Sequence, residues 1–229
     1  MSQDFLDELA AVKAQVVAAT ETGHALMGEF IRHEVSARAD SPLAGIVLAA
    51  ALPLADTPAQ RSGRVHLATA MVLLDVALSL HKLLLLQRPD ADTLDKSLVG
   101  GTVLAGDYCF SQAAVAAAHT GKPQVVAIFS DLLKELSEAH LRHLFENGEG
   151  ALDEFPALFQ SGGLAGAVLA GLTEQEQQRT AEFALSLAAL LGADSRNRAS
   201  DAPLIPGRVV AHQQARWHLL LEIVTSYGI

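Results

Sequence analysis

The stretch that decides the fold is Met71–Leu86, which reads MVLLDVALSLHKLLLL. It contains no glycine and no proline, and its only polar side chains are those of Asp75, Ser79, His81 and Lys82. Asp75, Ser79 and Lys82 follow one another at spacings of four and three, which places them on one face of an α-helix. A helix that is apolar over most of its circumference is buried in a core. We therefore expect this stretch to be the central helix, with the other helices packed around it.

The composition of the whole chain favours a single helical domain. The chain has 229 residues, of which 50% are hydrophobic and 18% are charged, and this length can bury a sizeable core. Alanine and leucine dominate, and runs of β-branched residues are scarce, which favours helices over strands. We predict an all-α fold over residues 1–229, with about nine or ten helices.

The charge balance and the cysteine count restrict the class of partner and the compartment. Sixteen basic and 26 acidic residues give a net charge of −10, which argues against nucleic-acid binding. The single cysteine, Cys109, excludes an internal disulfide and fits a reducing compartment. The N-terminal residues lack a signal-like pattern, and no uninterrupted apolar run reaches about 18 residues. We predict a cytoplasmic protein without a transmembrane segment.

Three segments resemble motifs of the trans-isoprenyl diphosphate synthases. Leu104–Phe110, which reads LAGDYCF, resembles the LxGDYLxxxA helix of that family. Ser79–His81 matches a Leu-x-His segment that precedes the first aspartate-rich motif, and Leu169–Leu172 matches an LLAG helix ending. The resemblance spans roughly Arg38 to Asp194. It implies an isoprenoid-synthase-type helical bundle that is shorter at its C-terminal end than the family.

The same resemblance shows which family motifs are missing. In the family, a DDxxD motif holds magnesium against an allylic diphosphate, but here Lys82–Leu86 follows His81 directly. The second aspartate-rich motif is replaced by Leu191–Ser195, which keeps only Asp194. The degenerate first motif therefore comprises His81, Lys82, Leu83 and Leu86. We predict no catalytic residue and no cofactor of the chain's own, with Mg²⁺ held only by a catalytic partner.

Basic residues of the family's diphosphate sites are also replaced. Arg38 occupies the lysine position of the family's GGKRLRP corner, whereas the two arginines become Ala39 and Ser41. A diphosphate needs several charge-assisted contacts. Arg38 is therefore a vestigial diphosphate-site residue, or a solvated cation stabilised by the helix dipole. The Lys-Thr pair that opens a later helix in the family is absent near Glu154.

These losses favour a non-catalytic role within the family. The resemblance implies a small subunit of a heterodimeric medium- or long-chain prenyl diphosphate synthase, in isoprenoid or quinone side-chain biosynthesis. Such a subunit pairs with a DDxxD-containing catalytic subunit and shapes the chain-elongation pocket. A homodimer is the alternative assembly. The residues expected to line the tunnel or the interface are Leu84, Leu85, Tyr108 and Phe110.

Two other functions compete with this interpretation. One is a repurposed helical scaffold, or an apolar-ligand binding protein, without prenyl chemistry. The other is a divergent active prenyltransferase that uses Asp75, Asp107 and Asp194, although such scattered acids are more often packing residues. We expect Asp107 to be buried and to hold two helices in register.

Two smaller features of the sequence lead to local predictions. Gly106 is expected to mark the close approach of another helix. His140 and His143 lie on one helical turn, but nothing nearby supplies further ligands at a recognised spacing. We therefore interpret the two histidines as part of a solvated face and predict no metal site.

Overall fold

A computed structural model describes residues 2–22, 25–38, 41–85, 96–145, 152–192, 207 and 209–226. These residues form nine α-helices and a short 3-10 helix, with no strand among them, which confirms the all-α prediction. The helices are α1 (Ser2–Thr20), α2 (Ala25–Arg38), α3 (Pro42–Ala50), α4 (Pro58–Leu85), α5 (Lys96–Ala118), α6 (Pro123–Phe145), α7 (Phe155–Leu169), α8 (Glu174–Gly192) and α9 (Gln214–Ser226), and the 3-10 helix is Ala211–Gln213.

Helix α4 is the central element, as the apolar stretch predicts. Its residues from 67 to 80 are all buried, and α1, α2, α3, α5 and α7 pack against it. The helix begins at Pro58. The reason is a reciprocal cap in which the Thr57 backbone N–H donates to Gln60 Oε1 at 3.0 Å and the Gln60 N–H donates to Thr57 Oγ1 at 3.3 Å. Proline is well tolerated at the first helical position.

Among the described residues, one helical segment is long and apolar enough to cross a membrane. It is Pro58–Leu83 of α4, and 89% of its most apolar window is buried inside the fold. Burial of this extent identifies a core helix, which passes the same test of length and hydropathy.

Glycines let α7 lie close to two neighbouring helices. A Cβ at Gly166 would lie 2.8 Å from Ala50 Cβ of α3, and one at Gly163 would lie 2.7 Å from Ala184 Cβ of α8. Both distances are shorter than a carbon–carbon contact allows. The glycine-rich sequence of α7 therefore reflects helix packing on two sides.

Helix α6 packs one apolar stripe against the core. Val125, Phe129, Leu132 and Leu136 are buried, whereas Val126 and Leu144 are exposed. The observed stripe follows the spacing i, i+4, i+7 and i+11, which keeps its members on one face. Val126 lies one residue further along the helix and so points away from the core.

A buried ion network joins α1, α4 and α9. Glu8 accepts hydrogen bonds from Arg64 Nη2 at 2.6 Å and from Arg216 Nη1 at 2.7 Å, and Arg64 also donates to Asp56 at 2.7 Å. Burial alone would raise the pKa of Glu8, but the hydrogen bonds from the two arginines outweigh it and the pKa is lowered. The residues that form these contacts are separated in sequence by 56 and by 208 positions, so no local spacing pattern could indicate them.

Candidate functional site

The candidate site lies at the C-terminal end of α4, where the degenerate motif was predicted. The last turns of α4 carry His81, Lys82 and Leu83, and α5, α6 and the start of α7 surround them. Leu83 is partly buried and packs against the core. Leu84 and Leu85 belong to the last turn of α4, but their side chains lie outside the described part of the chain, as do Leu86 and Asp194.

Lys82 forms an ion pair with Glu154, the residue that precedes α7. The Glu154 side chain is only 4% exposed, and its position at a helix N-terminus favours its negative charge. His140 of α6 approaches the same carboxylate, with Nε2 at 2.9 Å from Glu154 Oε1. The resemblance places Lys82 at the first motif aspartate and Glu154 near the missing Lys-Thr pair. The charges are inverted relative to those that the resemblance implies.

His81 fills the contact between α4 and α5. Its Nε2 lies 3.5 Å from Asp107 Oδ1, and its ring centroid is 5.3 Å from that of Phe110. A Cβ at Gly106 would overlap the His81 ring, which confirms that this glycine marks a close helix approach. The prediction of a buried Asp107 is wrong, because 62% of its side chain is exposed on the outer side of α5. It contacts α4 only through the edge of the His81 ring.

A second polar group lies between α2 and α4. Arg38 Nη1 donates to Glu34 Oε2 and Nη2 donates to Ser79 Oγ, both at 2.5 Å, and Ser79 Oγ donates to Glu34 at 2.6 Å. Arg38 Nε lies 3.4 Å from Asp75 Oδ2. Arg38, the last residue of α2, is therefore paired with side chains of α2 and α4 rather than solvated, and its partner Glu34 is buried.

Asp75 and Ser79 lie on one face of α4, as their spacing predicts. Both side chains reach Arg38, so the face serves packing of α2 on α4. Burial raises the pKa of Asp75, although the nearby charges of Arg38 and Lys82 oppose this effect. The Arg38 guanidinium faces three acceptors, which are Glu34, Ser79 and Asp75, so most of its donors are used within the protein.

A cavity of about 380 Å³ opens beside Lys82, the cationic member of the Lys82–Glu154 ion pair. Phe110, predicted as a tunnel residue, is part of its wall, whereas Tyr108 instead donates from its hydroxyl to the Glu21 backbone oxygen at 3.3 Å. The residues that line the cavity come from α4, α5 and α6; they are Leu78, His81, Lys82, Phe110, Leu133, Leu136, Ser137 and His140.

The residues of this site do not fit magnesium. Mg²⁺ requires oxygen ligands in near-octahedral geometry, and it is usually held through one or two carboxylates. Here the Glu154 carboxylate is paired with Lys82, and Asp75 is paired with Arg38. In the part of the chain that the structure describes, no group of three or more His, Cys, Asp and Glu side chains could hold a metal ion. His140 faces Glu154 instead of forming a metal pair with His143.

Glu154 and His140 were missed as members of the site by sequence reasoning. Lys82, His140 and Glu154 lie on three different helices or their ends, so no spacing connects them. The sequence does contain one signal of the ion pair, which is a reversal of charge relative to the family that it resembles. Lys82 stands where the resemblance implies an aspartate, and Glu154 lies near the position where it implies a lysine.

Comparison with known proteins relates the chain to others through structure alone. No family profile matches the sequence, and no curated protein matches it significantly. Three solved structures illustrate the likeness. A decaprenyl diphosphate synthase from Rhodobacter capsulatus has 21% identity and a TM-score of 0.62, covering 97% of this chain and 85% of that one. A Caulobacter crescentus polyprenyl synthase, complexed with calcium and isoprenyl diphosphate, has 19% identity and a TM-score of 0.65, covering 97% and 81%.

The third is a deletion mutant of the heterotetrameric geranyl pyrophosphate synthase from mint. It has 16% identity and a TM-score of 0.57, and the likeness covers 100% of both chains. At such low sequence identities, the structural similarity establishes the fold alone. The chain therefore has the isoprenoid-synthase fold of the trans-prenyl diphosphate synthases.

Proposed function

We propose that this chain is a non-catalytic subunit of a prenyl diphosphate synthase, and that it pairs in the cytoplasm with a DDxxD-containing catalytic subunit. The observation that carries the proposal is the Lys82–Glu154 ion pair. It occupies the position where the resemblance implies metal-binding aspartates.

The chemistry of prenyl transfer explains the weight of this observation. Ionising an allylic diphosphate leaves negative charge on pyrophosphate, and family enzymes neutralise that charge with carboxylate-bound magnesium. Loss of one preorganised group of this kind typically costs about 3–4 kcal/mol of the barrier. Here an ammonium group replaces the first aspartate, and a carboxylate faces it from α7. In this proposal the chain has no cofactor of its own, and Mg²⁺ belongs to the partner.

An exposed apolar surface supports a pairing role. On the outer side of α5, Leu104 is 63% exposed and Val115 is 50% exposed. The two residues lie eleven positions apart, which places them on one helical face. The last turn of α6 adds Leu144 and Phe145 as exposed apolar side chains. Exposed large apolar side chains are candidates for protein–protein contacts, and the heterotetrameric mint synthase shows that the fold occurs in multi-subunit assemblies.

The test is a native pull-down of the tagged chain from its own host, with the untagged host as the control. We expect a synthase with an intact DDxxD motif to co-purify near one-to-one, as identified by mass spectrometry. Return of the chain alone, as a homodimer without a prenyl enzyme, would contradict the proposal.

A reconstitution assay then separates a non-catalytic subunit from a divergent enzyme. The chain, the partner and their mixture are incubated with isopentenyl diphosphate, an allylic diphosphate and Mg²⁺. We expect product from the mixture and none from the chain alone. Magnesium-dependent turnover by the isolated chain would favour an active prenyltransferase that uses other acids.

A further inference from the structure

Two histidines from neighbouring helices meet at the end of the α4–α5 contact that lies away from Lys82. His66 belongs to α4, and His119 directly follows the last residue of α5. Their ring centroids are 5.2 Å apart, and the ring planes are inclined by 60°. Lys82 follows His66 by 16 positions, so about 24 Å of helix α4 separate the two histidines from the degenerate motif.

The spacing of the two rings matches that of two imidazoles bound to one zinc ion. Zinc binds an imidazole nitrogen at about 2.0–2.1 Å, so the centroid of the ring lies roughly 3.2 Å from the ion. At the tetrahedral angle that zinc prefers, two such centroids are about 5.2 Å apart. Turning a ring about its Cβ–Cγ bond exchanges its nitrogen and carbon edges but leaves its centroid nearly in place. The measured spacing therefore allows a nitrogen of each ring to face one ion.

Both imidazoles are available to bind an ion. In the part of the chain that the structure describes, neither ring has a hydrogen-bond or ion-pair partner. By contrast, His81, His140 and His212 face Asp107, Glu154 and the Leu52 backbone oxygen, respectively. His119 is exposed and His66 is half-buried, so an ion can reach both from solvent.

The backbone around the two histidines is fixed, and it favours a cation. His66 lies within α4, and the His119 backbone N–H donates to the Val115 oxygen at 3.1 Å, which extends the bonding pattern of α5 by one residue. Ligands on such rigid elements lose little freedom when they bind an ion. The C-terminal end of a helix carries partial negative charge, so positive charge beside His119 is favourable.

We propose that His66 and His119 bind one Zn²⁺ ion across α4 and α5, with water completing its coordination. Imidazole nitrogen suits zinc, whereas Mg²⁺ prefers oxygen ligands, so this site differs in chemistry from the metal sites that the resemblance implies. Within the described residues no group of three or more potential ligands occurs, and two protein ligands bind zinc more weakly than the four of a structural site. The inference goes beyond the proposed function, since both ligands come from this chain.

Isothermal titration calorimetry of the full chain, without a histidine tag, tests the site with ZnCl₂ and with MgCl₂. We expect one zinc ion per chain with a micromolar Kd, and no binding of magnesium. His66→Gln and His119→Gln should each weaken zinc binding at least about tenfold, since even the loss of an outer partner of a ligand costs that much. Unchanged zinc affinity in either variant, or no saturable zinc binding by the wild type, would overturn the assignment.

His143→Gln is the matched control for these variants. It removes one of the two histidines on a single turn of α6, which form the other pair at a spacing that could chelate an ion. We expect it to bind zinc as the wild type does. A loss of binding in His143→Gln that exceeds the loss in His119→Gln would place the ion on α6 and contradict the proposal.

Thermal unfolding provides a second measurement, because an ion held by both helices stabilises the folded chain. At a zinc concentration of about 100 times the Kd, we expect the Tm of the wild type to rise by roughly 5–10 °C. The Tm of His119→Gln should not respond, and its exposed position keeps this test valid if His66→Gln is destabilised. An equal rise in both proteins would contradict the site. Failure of the pull-down would leave these results unaffected, and absence of zinc binding would leave the proposed partnership intact.

Discussion

Glu8 and Glu154 show two ways in which a single carboxylate is buried in this fold. Both side chains are less than 5% exposed. Glu8 accepts hydrogen bonds from both Arg64 and Arg216, whereas one oxygen of Glu154 has no hydrogen-bond partner in the described part of the chain. Hydrogen bonds from two arginines offset the cost of burying the Glu8 charge, whereas the Glu154 charge is balanced by the ammonium group of Lys82.

Replacing Glu8 tests the structural role. Glu8→Gln keeps the size of the side chain but leaves the buried Arg64 and Arg216 without their shared negative charge. Breaking a buried ion pair typically costs about 3–5 kcal/mol, so we expect a loss of that order in the free energy of unfolding, measured with urea. Glu29→Gln, at an exposed position on α2, is the control and should change stability little.

The pH dependence of the same variant has a definite sign. Because the folded-state pKa of Glu8 is lowered, its contribution is present above its unfolded pKa of about 4.3 and is lost as pH falls through the folded pKa. We expect the stability difference between wild type and Glu8→Gln to be constant near neutral pH and to shrink in acid. A difference that stays the same down to the acid-unfolding range would contradict the assigned role of this ion cluster.

Individual residues also show what sequence can predict of the site. The shared face of Asp75 and Ser79 follows from helical periodicity alone, and the structure confirms it. Their partner Arg38 lies 41 positions from Ser79, and no periodicity connects different helices. The exposure of Asp107 was mispredicted for this reason, since it depends on which neighbour covers that face of the helix.

At the scale of single helices, two begin with the same kind of cap. Before α8, Thr173 Oγ1 lies 2.7 Å from Glu176 Oε2, in the Thr-x-x-Glu pattern of a capping box. Before α4, Thr57 and Gln60 form the equivalent contact at 2.9 Å, with Pro58 at the first helical position. Both caps use the same physical principle, in which two side chains satisfy free backbone donors at the helix start.

The approach of α7 to α8 depends on Gly163, and a double-mutant cycle can measure it. Gly163→Ala would bring a methyl group 2.7 Å from Ala184 Cβ and 3.3 Å from the Thr180 carbonyl. Overpacking of this kind costs about 1–3 kcal/mol, which exceeds the roughly 1 kcal/mol gained by replacing glycine in a helix. We expect Gly163→Ala to lower the free energy of unfolding and Ala184→Gly to restore part of the loss.

Gly100→Ala on α5 is the matched control for this cycle. A Cβ at Gly100 meets no atom within 4 Å, so only the helical gain remains and stability should rise slightly. The packing interpretation fails if Gly163→Ala is as stable as Gly100→Ala, or if Ala184→Gly adds its own loss without any recovery.

At the scale of the whole molecule, the fold was predictable and the chemistry was only partly so. The buried α4 and the α5 segment around Gly106 and Asp107 were enough to indicate the bundle, because a fully apolar helix must lie at its centre. The direct pairing of Lys82 with Glu154 was not predictable, because it requires the end of α4 to meet the start of α7. The missing motifs indicated a loss of metal binding, whereas the structure reveals what replaces it.

The apolar outer side of α5 leads to the last prediction, which concerns assembly. Among the large apolar side chains that the structure describes on that helix, Leu104 is the most exposed, and it does not belong to the buried core. Leu104→Asp would place a charge in the centre of a buried subunit contact, where an unpaired carboxylate is strongly unfavourable. We expect this variant to fold normally by circular dichroism but to lose co-purification of the partner.

Leu54→Asp provides the control for this variant, because Leu54 is 84% exposed in the loop between α3 and α4. The same change of side chain there adds the same charge to an already acidic chain, so only the position differs. We expect Leu54→Asp to retain the partner at the wild-type ratio. If both variants lose the partner, net charge rather than the α5 surface governs association. If neither does, the contact lies on another face, and the exposed end of α6 at Leu144 and Phe145 becomes the next surface to test.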